Sequence, residues 1–261
     1  MSFLVDKVTK AQIAAKFIRI KSLQMITNAN SSHIGSCLSV ADVLAVVHQK
    51  VCENGDELVF SKGHAAAALY ASLANLNLVS EESLIEFGSD GTEMIGHVNH
   101  AINGIRFSTG SLGHGFPIAV GIAAASKQKK VFVIISDGEL NEGTTWESLA
   151  IASQLQLKNL TVIIDTNGIQ SFGNTNEVLN LEPLIDKFQN FGWFCIEIDG
   201  HSVESLIKSL EIGSNDKPKL IIARTIKGKG ILTMEGKLEW HYRSPNQEEV
   251  ADFIAEIENN A

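Results

Sequence analysis

The segment that most restricts the fold of this chain is residues 131–170. Two short apolar runs rich in β-branched residues, 131–135 and 160–164, flank a helical pattern at about 146–157. Runs of this length and composition are typical of strands that are buried on both faces of a sheet. Strand, helix and strand in so short a span predict a parallel βαβ unit, because parallel strands need a crossover connection.

A polar turn follows each of the two predicted strands. Asp137-Gly138 follows the first and Asn167-Gly168 follows the second, so both lie at the carboxyl edge of the sheet, where open α/β sheets bind ligands. A carboxylate, a carboxamide and one backbone carbonyl, for which Ile169 is the candidate, are ligands that suit Mg²⁺ or Ca²⁺. Gly138 has no Cβ and lets a phosphate approach. Taken alone, the spacing fits ordinary strand-end turns equally well.

The two turns resemble a known cofactor motif. Asp-Gly and Asn-Gly, thirty residues apart, resemble the thiamine-diphosphate motif, in which the Asp and the Asn hold the metal ion. DGELNEG at residues 137–143, followed by WE, is similar to the transketolase family in particular. The resemblance implies a thiamine-diphosphate-binding fold with Mg²⁺ (or Ca²⁺). It assigns Asp137, Asn167 and Ile169 to the metal, and Gly138, Glu142 and Asn167 to the cofactor.

Three further stretches contain histidines that the resemblance assigns to the site. SSHIGS, residues 31–36, is similar to the family stretch whose His contacts substrate and whose later Ser contacts cofactor, which implies those roles for His33 and Ser36. FSKGHAAAALYA, residues 60–71, matches the stretch whose His binds the diphosphate, here His64 at a helix start that favours anions. Gly96-His97 matches a substrate-binding His. Without the resemblance, each is an ordinary loop or turn histidine.

Two more stretches complete the resemblance. TGSLG, residues 109–113, is similar to the loop that backs the cofactor rings, which implies that role for Gly110, Ser111 and Leu112. Lys227 and the pair Trp240-His241 stand at the separations of a family Lys and Trp-His pair. There the Lys contacts cofactor and substrate, and the His acts at the reacting centre. Without the resemblance, the Lys- and Gly-rich segment is equally well a solvated basic loop.

The chain departs from the family pattern at several positions. Ser136 stands where Gly is usual, so its side chain either crowds the diphosphate or donates a hydrogen bond to it. Val98 replaces a Pro, and Ser32 replaces a Gly. His114 replaces a Gln, and it adds a titrating group or simply fills a polar packing position. His97 and His100 are three residues apart, but no Cys or carboxylate supports a zinc site at that spacing.

Composition restricts the class of protein. A chain of 261 residues with 44% hydrophobic content is long enough for one large core, and we expect a single domain over residues 1–261. The formal net charge of −9 argues against nonspecific binding to nucleic acid or to an anionic membrane. No long apolar run and no signal-peptide layout are visible, and the three cysteines, Cys37, Cys52 and Cys195, have no metal spacing. A cytoplasmic protein with reduced thiols is expected.

The periodicity predicts an α/β fold with a doubly wound, mostly parallel sheet flanked by helices. Strands are expected at 58–60, 131–135, 160–164, 194–198 and 219–226. Helices are expected at 8–27, 38–51 (with Ser39 as N-cap and Asp42 three residues on), after His64, at 80–87, after Gly115, at 146–157, before 194, at 203–210 and at 246–259.

The resemblance extends from about residue 11 to residue 245, whereas single-chain transketolases continue for several hundred residues. It therefore implies the N-terminal subunit of a split transketolase, which transfers a two-carbon ketol unit from a ketose to an aldehyde. A separate C-terminal subunit with the pyrimidine-binding domain is implied as partner, with two copies of each chain, and sugars or sugar phosphates as substrates. Two alternatives stay open: a subunit of an enzyme that decarboxylates a 2-oxo acid, and a non-catalytic scaffold.

Overall fold

The computed structural model describes residues 2–260, in which nine α-helices and five β-strands alternate. The strands are β1 (Glu57–Phe60), β2 (Val131–Ser136), β3 (Leu160–Thr166), β4 (Phe194–Asp199) and β5 (Lys219–Arg224). The helices are α1 (Ser2–Asn28), α2 (Ile34–Asn54), α3 (Ala66–Asn75), α4 (Gly115–Ala125), α5 (Gly143–Gln154), α6 (Thr175–Leu179), α7 (Leu184–Asn190), α8 (Val203–Glu211) and α9 (Val250–Asn260).

The five strands form one parallel sheet in the order β1-β2-β3-β5-β4. The βαβ unit predicted from residues 131–170 is present, with β2 and β3 as direct neighbours. The chain therefore moves along the sheet from β1 to β3, passes over one position to β4, and returns to β5. All of the carboxyl ends lie at one edge, which is where the predicted metal-binding turns follow β2 and β3.

Each face of the sheet is covered by its own helices, as predicted for a doubly wound fold. Alternate residues of β2 point to opposite faces: Phe132 and Ile134 pack with α1, α2, α3 and α8, while Val131, Val133 and Ile135 pack with α4, α5 and α7. All six residues of β2 are buried. This accounts for the unbroken apolar run, since a strand between two helical layers has no solvent-facing side.

Helix α2 starts earlier than predicted, and its predicted N-cap is wrong. It begins at Ile34, directly after His33, rather than at 38. Ser39 lies inside the helix, where its Oγ donates to the Ser36 carbonyl and to Asp165 Oδ2. The side chain of Asp42 binds Arg19 instead of a helix-end N–H. Tertiary partners for these polar side chains therefore replaced the local capping pattern.

Other boundaries shift by a few residues. Helix α1 extends to both sides of the predicted range, and α5 begins at Gly143 rather than at 146. The segment predicted as a helix at 80–87 is a 3₁₀ helix at Glu82–Glu86. Helix α9 begins at Val250 rather than at 246, and Asn246 Oδ1 accepts the Glu249 N–H in the turn that leads into it, which is the bond of a helix N-cap.

Helix α2 is the one helix of residues 2–260 that is long and apolar enough, by length and composition, to cross a membrane. Within its most apolar window, 89% of the residues are buried inside the protein. Contacts with α1, α3 and the sheet thus account for its apolar composition.

Candidate cofactor site at the carboxyl edge of the sheet

The polar turns after β2 and β3 meet at the sheet edge, as predicted. Ser136 pairs with Asp165 at the ends of the two strands, so Asp137 and Asn167 follow on neighbouring strands. Asp137 joins the turns, because its Oδ1 accepts the Gly138 N–H (2.8 Å) and its Oδ2 accepts the Gly168 N–H (2.7 Å). These two bonds fix the direction of the carboxylate.

The oxygen atoms predicted to bind a cation fit that role. Burial and then the nearby Asp165 carboxylate raise the pKa of Asp137 to about 6, and a bound cation would offset this penalty on the ionised form. Asn167 Oδ1 accepts the Ile169 N–H at 3.1 Å, which orients the amide. The Ile169 carbonyl accepts from Lys227 Nζ at 3.2 Å and keeps a second lone pair. No group of three or more His, Cys, Asp or Glu side chains in residues 2–260 forms an alternative metal site.

A buried ion pair that sequence analysis missed lies directly behind this edge. Lys62 Nζ binds Asp165 Oδ2, and both side chains are fully buried. Burial alone raises the pKa of Asp165, but Lys62 and hydrogen bonds from Thr225 and Ser39 hold it below its usual value. Lys62 also donates to the Ser36 carbonyl (3.3 Å). The sequence did contain a signal for this pair: Lys62 closely follows the apolar run at 58–60, and Asp165 directly follows the run at 160–164.

Four imidazole rings converge on the same edge. The His33 ring lies 5.5 Å from His64, 5.9 Å from His97 and 5.0 Å from His241, measured between ring centroids. His33 adopts φ 75°, in the left-handed region that a non-glycine residue rarely occupies. Its backbone N–H donates to the His241 carbonyl at 2.9 Å, which joins the two loops.

Burial keeps three of these rings neutral at physiological pH. It is the main cause that lowers the pKa of His33 to about 4 and of His241 to about 3, and it lowers the pKa of His64 as well. Lys227 Nζ lies 2.7 Å from His241 Nδ1. Because an ammonium group only donates, Nδ1 accepts and Nε2 carries the proton of the ring. Burial also lowers the pKa of Lys227 to about 8.

Hydrogen bonds from the two flanking residues hold the Gly110–Leu112 loop against the carboxyl edge of the sheet. Thr109 Oγ1 donates to the Phe60 carbonyl (2.6 Å), and Gly113 N–H donates to Glu139 Oε1 (3.0 Å). Glu139 also accepts from Ser61 and is fully buried. A Cβ at Gly110 would lie 2.8 Å from the His97 ring, so glycine is required where the ring packs on the loop. Neither Ser61 nor Glu139 was among the predicted site residues, because their contacts join segments that are far apart in the sequence.

Most of the predicted site residues line one open cleft of about 290 Å³ at the carboxyl edge of the sheet, which we call the edge cleft. Small-molecule sites typically occupy about 300–1,000 Å³. The predicted residues that line it are His33, Ser36, His64, His97, Gly110, Leu112, Asp137, Gly138, Asn167, Ile169 and His241. The lining residues absent from the predicted set are Ser136, Gln170, Ser171 and Tyr242; Gln170, Ser171 and Tyr242 closely follow predicted site residues in sequence.

Three predicted site residues are not part of that lining. Lys227 is buried behind the edge cleft and touches it through Ile169 and His241. Ser111 lies between two lining residues but is itself exposed, and Glu142 is exposed beside Gly113. The structure therefore brings together most of the predicted set and leaves these two side chains on its rim.

The departures from the family pattern differ in position. Ser136 is 5% exposed, and its Oγ has no hydrogen-bond partner among residues 2–260. An unpartnered buried hydroxyl beside Asp137 and Gly138 is consistent with a polar ligand at this edge. His114 is exposed, with Nδ1 3.2 Å from the Leu112 carbonyl, and does not line the edge cleft.

Comparisons with known proteins agree with this geometry. The family described as "Transketolase, thiamine diphosphate binding domain" matches residues 10–257. The chain is 37% identical to a subunit of the apulose-4-phosphate transketolase of Actinobacillus succinogenes, covering 94% of this chain and 95% of that protein. It is 36% identical to 6-deoxy-6-sulfo-D-fructose transketolase subunit SqwG of Clostridium sp. strain MSTE9, covering 95% and 96%.

Solved structures show the same likeness. Transketolase from Leishmania mexicana aligns with a TM-score of 0.85 at 28% identity, covering 95% of this chain and 41% of that one. Transketolase from Campylobacter jejuni aligns with a TM-score of 0.84 at 31% identity, covering 96% and 42%. The chain thus spans about two fifths of the length of these transketolases. It belongs to the transketolase family and contains that family's thiamine diphosphate binding domain.

Proposed function

We propose that this chain is the diphosphate-binding subunit of a two-component transketolase, which moves a two-carbon ketol unit from a ketose to an aldehyde. The observation that carries the proposal is the edge cleft itself. It combines a fixed carboxylate, an oriented carboxamide and four imidazoles at one sheet edge. This set suits a metal diphosphate and a polyhydroxylated substrate together.

The metal and the diphosphate are held by two neighbouring sets of groups in this proposal, with Asn167 common to both. Asp137, Asn167 and the Ile169 carbonyl hold Mg²⁺ (or Ca²⁺). The diphosphate is bound by groups around them: Ser36, His64, Gly138, Asn167, His241 and Lys227. Lys227 supplies a cation in a chain of net charge −9, and its contact with Ile169 links the diphosphate to the metal seat.

The rest of the edge cleft serves the cofactor rings and the substrate. Gly110, Ser111 and Leu112 pack against the cofactor rings, and Glu142 contacts the cofactor from the rim of the edge cleft. When bound, thiamine diphosphate supplies the carbon nucleophile and the electron sink that a ketol transfer requires. Three catalytic imidazoles, His33, His97 and His241, hold substrate hydroxyls. His241 donates through Nε2–H, because its Nδ1 is occupied by Lys227.

The partner is a separate polypeptide that carries the pyrimidine-binding domain, in an assembly with two copies of each chain. One observation supports this: the two relatives described above, which match over nearly their full length, are named as transketolase subunits. The substrates are sugars or sugar phosphates; the two relatives are named for apulose-4-phosphate and for 6-deoxy-6-sulfo-D-fructose.

Nucleic acid and membranes are not partners. The free thiols of Cys37, Cys52 and Cys195 support a cytoplasmic location.

The decisive experiment uses the chain co-expressed with its partner subunit. We expect the complex to bind thiamine diphosphate with Mg²⁺ in calorimetry and to transfer ketol units, and the isolated chain to show no turnover. Asp137→Ala should weaken metal-dependent cofactor binding by at least about tenfold, because it removes the only carboxylate of the proposed metal set. Asp252→Asn, an exposed change on α9, is the matched control.

The same assays separate the alternatives. Release of CO₂ from a 2-oxo acid, without ketol transfer, would identify a decarboxylating enzyme. A folded complex that binds no cofactor would identify a scaffold. Robust ketol transfer by the isolated chain would refute the two-component proposal.

A further inference from the structure

The three residues that follow β5 are each fixed by a different element, and the third of them is Lys227. The Thr225 N–H donates to the Thr166 carbonyl (3.1 Å), and its hydroxyl donates to Asp165. The Ile226 N–H donates to Nε2 of His201 at 2.8 Å. Lys227 is then 1% exposed and contacts Ile169 and His241. The position of its ammonium group thus depends on where the chain leaves β5.

His201 continues the hydrogen bonding of the sheet beyond β4. The Gly200 N–H donates to the Arg224 carbonyl (2.7 Å), next to the last paired residues of β4 and β5. The next amide, that of Ile226, meets the imidazole instead of a strand carbonyl. Since a backbone N–H can only donate, Nε2 accepts and the ring proton lies on Nδ1.

That tautomer is held by a buried carboxylate. Nδ1 of His201 lies 2.8 Å from Asp42 Oδ2, and both side chains are largely buried. Asp42 accepts in turn from the two terminal guanidinium nitrogens of Arg19, Nη1 and Nη2, and Arg19 is 2% exposed. A carboxylate that fixes one ring nitrogen so that the other faces its partner is a recurrent way to orient an imidazole. Arg19, Asp42 and His201 therefore connect α1 and α2 to the end of β5.

We propose that His201 is a positioning residue for the cofactor site: by accepting the Ile226 N–H, it sets the backbone from which Lys227 reaches the metal and diphosphate seat. The proposal rests on the proposed function for the identity of the ligand, but not for the effect on Lys227. His201 touches neither substrate nor cofactor and does not line the edge cleft. In the competing interpretation His201 is purely structural. Its substitution then acts through the lost contact with Asp42, and the contact with Ile226 has no effect on Lys227.

Two isosteric substitutions separate these roles. In His201→Gln, the amide oxygen reaches the position of Nε2 and accepts from Ile226, while the contact with Asp42 is lost. In His201→Asn, the amide NH₂ takes the position of Nδ1 and donates to Asp42, while the acceptor for Ile226 is lost. The cofactor affinity of the two-subunit complex is measured by calorimetry with thiamine diphosphate and Mg²⁺. Amide exchange of Gly228 and Gly236, whose N–H groups donate to the carbonyls of Gly35 and Lys227 respectively, is measured on the two-subunit complex without cofactor.

We expect His201→Asn to weaken cofactor binding about tenfold, because it displaces Lys227, which bonds to the Ile169 carbonyl of the proposed metal set, and the loss of such an outer partner costs about 10–100-fold. It should also speed exchange at Gly228 and Gly236. His201→Gln should remain within about twofold of wild type in both measurements. In a Lys227→Met background, His201→Asn should change the affinity less than about twofold, because coupled residues are not additive.

The proposal is overturned if His201→Gln weakens cofactor binding and His201→Asn does not. It is also overturned if the two substitutions have equal effects. A third contrary result is that the effects of His201→Asn and Lys227→Met on cofactor affinity are additive. If His201→Asn does not fold, His201→Gln decides alone: wild-type exchange at Gly228 and Gly236 supports the proposal, and faster exchange overturns it. A wild-type complex that binds no cofactor refutes the proposed function, while the exchange measurement still decides the role of His201.

Discussion

At the scale of single residues, the edge cleft depends on charged groups that it does not expose. Lys62 and Asp165 are completely buried, and Asp165 also accepts from Ser39 and Thr225. These contacts join α2, the end of β1, β3 and the end of β5. Removing one member of such a pair leaves an uncompensated buried charge, which costs far more than the pair contributes as a whole.

We therefore predict strong non-additivity for Lys62 and Asp165. Lys62→Met and Asp165→Asn should each lower the free energy of unfolding by about 3–5 kcal/mol. The double variant should lose clearly less than the sum, because neither charge is then left unpaired. Chemical denaturation of the four proteins measures this. Strictly additive losses would contradict a coupled pair.

A second prediction concerns His48, which lies in α2 with Nδ1 2.8 Å from Ser72 Oγ. Burial lowers the pKa of His48 from 6.5 to about 4. The unfolded chain therefore binds the proton more readily, and the stability associated with the neutral ring is present above pH 6.5 and is lost as the pH falls towards 4. His48→Asn removes this titration. The difference in unfolding free energy between wild type and variant should shrink by about 3 kcal/mol between pH 7 and pH 4.

Denaturation curves at several pH values test this directly. His100→Asn, in an exposed loop, is the matched control for replacing a histidine outside the core. A constant difference between wild type and His48→Asn across the range would mean that the buried ring does not titrate as stated.

At the scale of elements, the Gly110–Leu112 loop, which is proposed to contact the cofactor, is fixed by close backbone packing against the turn after β1. A Cβ at Gly63 would lie 2.3 Å from the Thr109 carbonyl oxygen and 2.6 Å from the Gly110 N. Both are backbone atoms, which cannot move without the loop. The position of Gly110 and Leu112 is thus set by a glycine nearly fifty residues earlier.

Gly63→Ala should therefore displace the Gly110–Leu112 loop. We expect a loss of about 1–3 kcal/mol in unfolding free energy, which is typical of overpacking, together with weaker cofactor binding by the complex. Gly121→Ala is the matched control, because a Cβ there meets nothing within 4 Å and alanine favours helix α4. Unchanged affinity in Gly63→Ala would show that the loop has room to adjust.

At the scale of the whole molecule, one sheet is shared by two hydrophobic clusters. Trp193 is buried in the cluster with α4, α5 and α7, and Trp240 in the cluster with α1, α2 and α3. Since β2, β3 and β5 contribute side chains to both clusters, neither helical layer keeps its packing without the sheet. The two faces should then unfold together.

This cooperativity is open to measurement with two single-tryptophan variants. Trp146→Phe combined with Trp240→Phe leaves Trp193, and Trp146→Phe combined with Trp193→Phe leaves Trp240. In each variant, the fluorescence midpoint in denaturant should coincide with the midpoint from far-ultraviolet circular dichroism. Fluorescence that changes at a different denaturant concentration from the loss of secondary structure would indicate separate unfolding of one face.

Much of this organisation was predictable from local pattern. The apolar runs predicted all five strands, and the Asp-Gly and Asn-Gly turns predicted the sheet edge at which most of the candidate site residues meet. Helix α9 begins at Val250 rather than at 246, although Asn246 caps the turn that leads into it. The predicted start of α2 was wrong, because Ser39 and Asp42 form a helix-start pattern but bond to other partners. Local capping preferences are weak compared with a buried tertiary hydrogen bond, so sequence alone assigned these side chains incorrectly.

The sequence by itself determined the parallel sheet, its two helical layers and the Asp137-Gly138 and Asn167-Gly168 turns at its carboxyl edge, because periodicity and turn chemistry act over a few residues. The other residues that meet at that edge were predicted from the resemblance to the transketolase family. Only the tertiary structure decided which polar groups support that set. Lys62 with Asp165, Glu139 with Gly113, and His201 with Ile226 are each separated by more than twenty residues. Contacts at such separations follow from how the strands are ordered in the sheet, and no local pattern encodes that order.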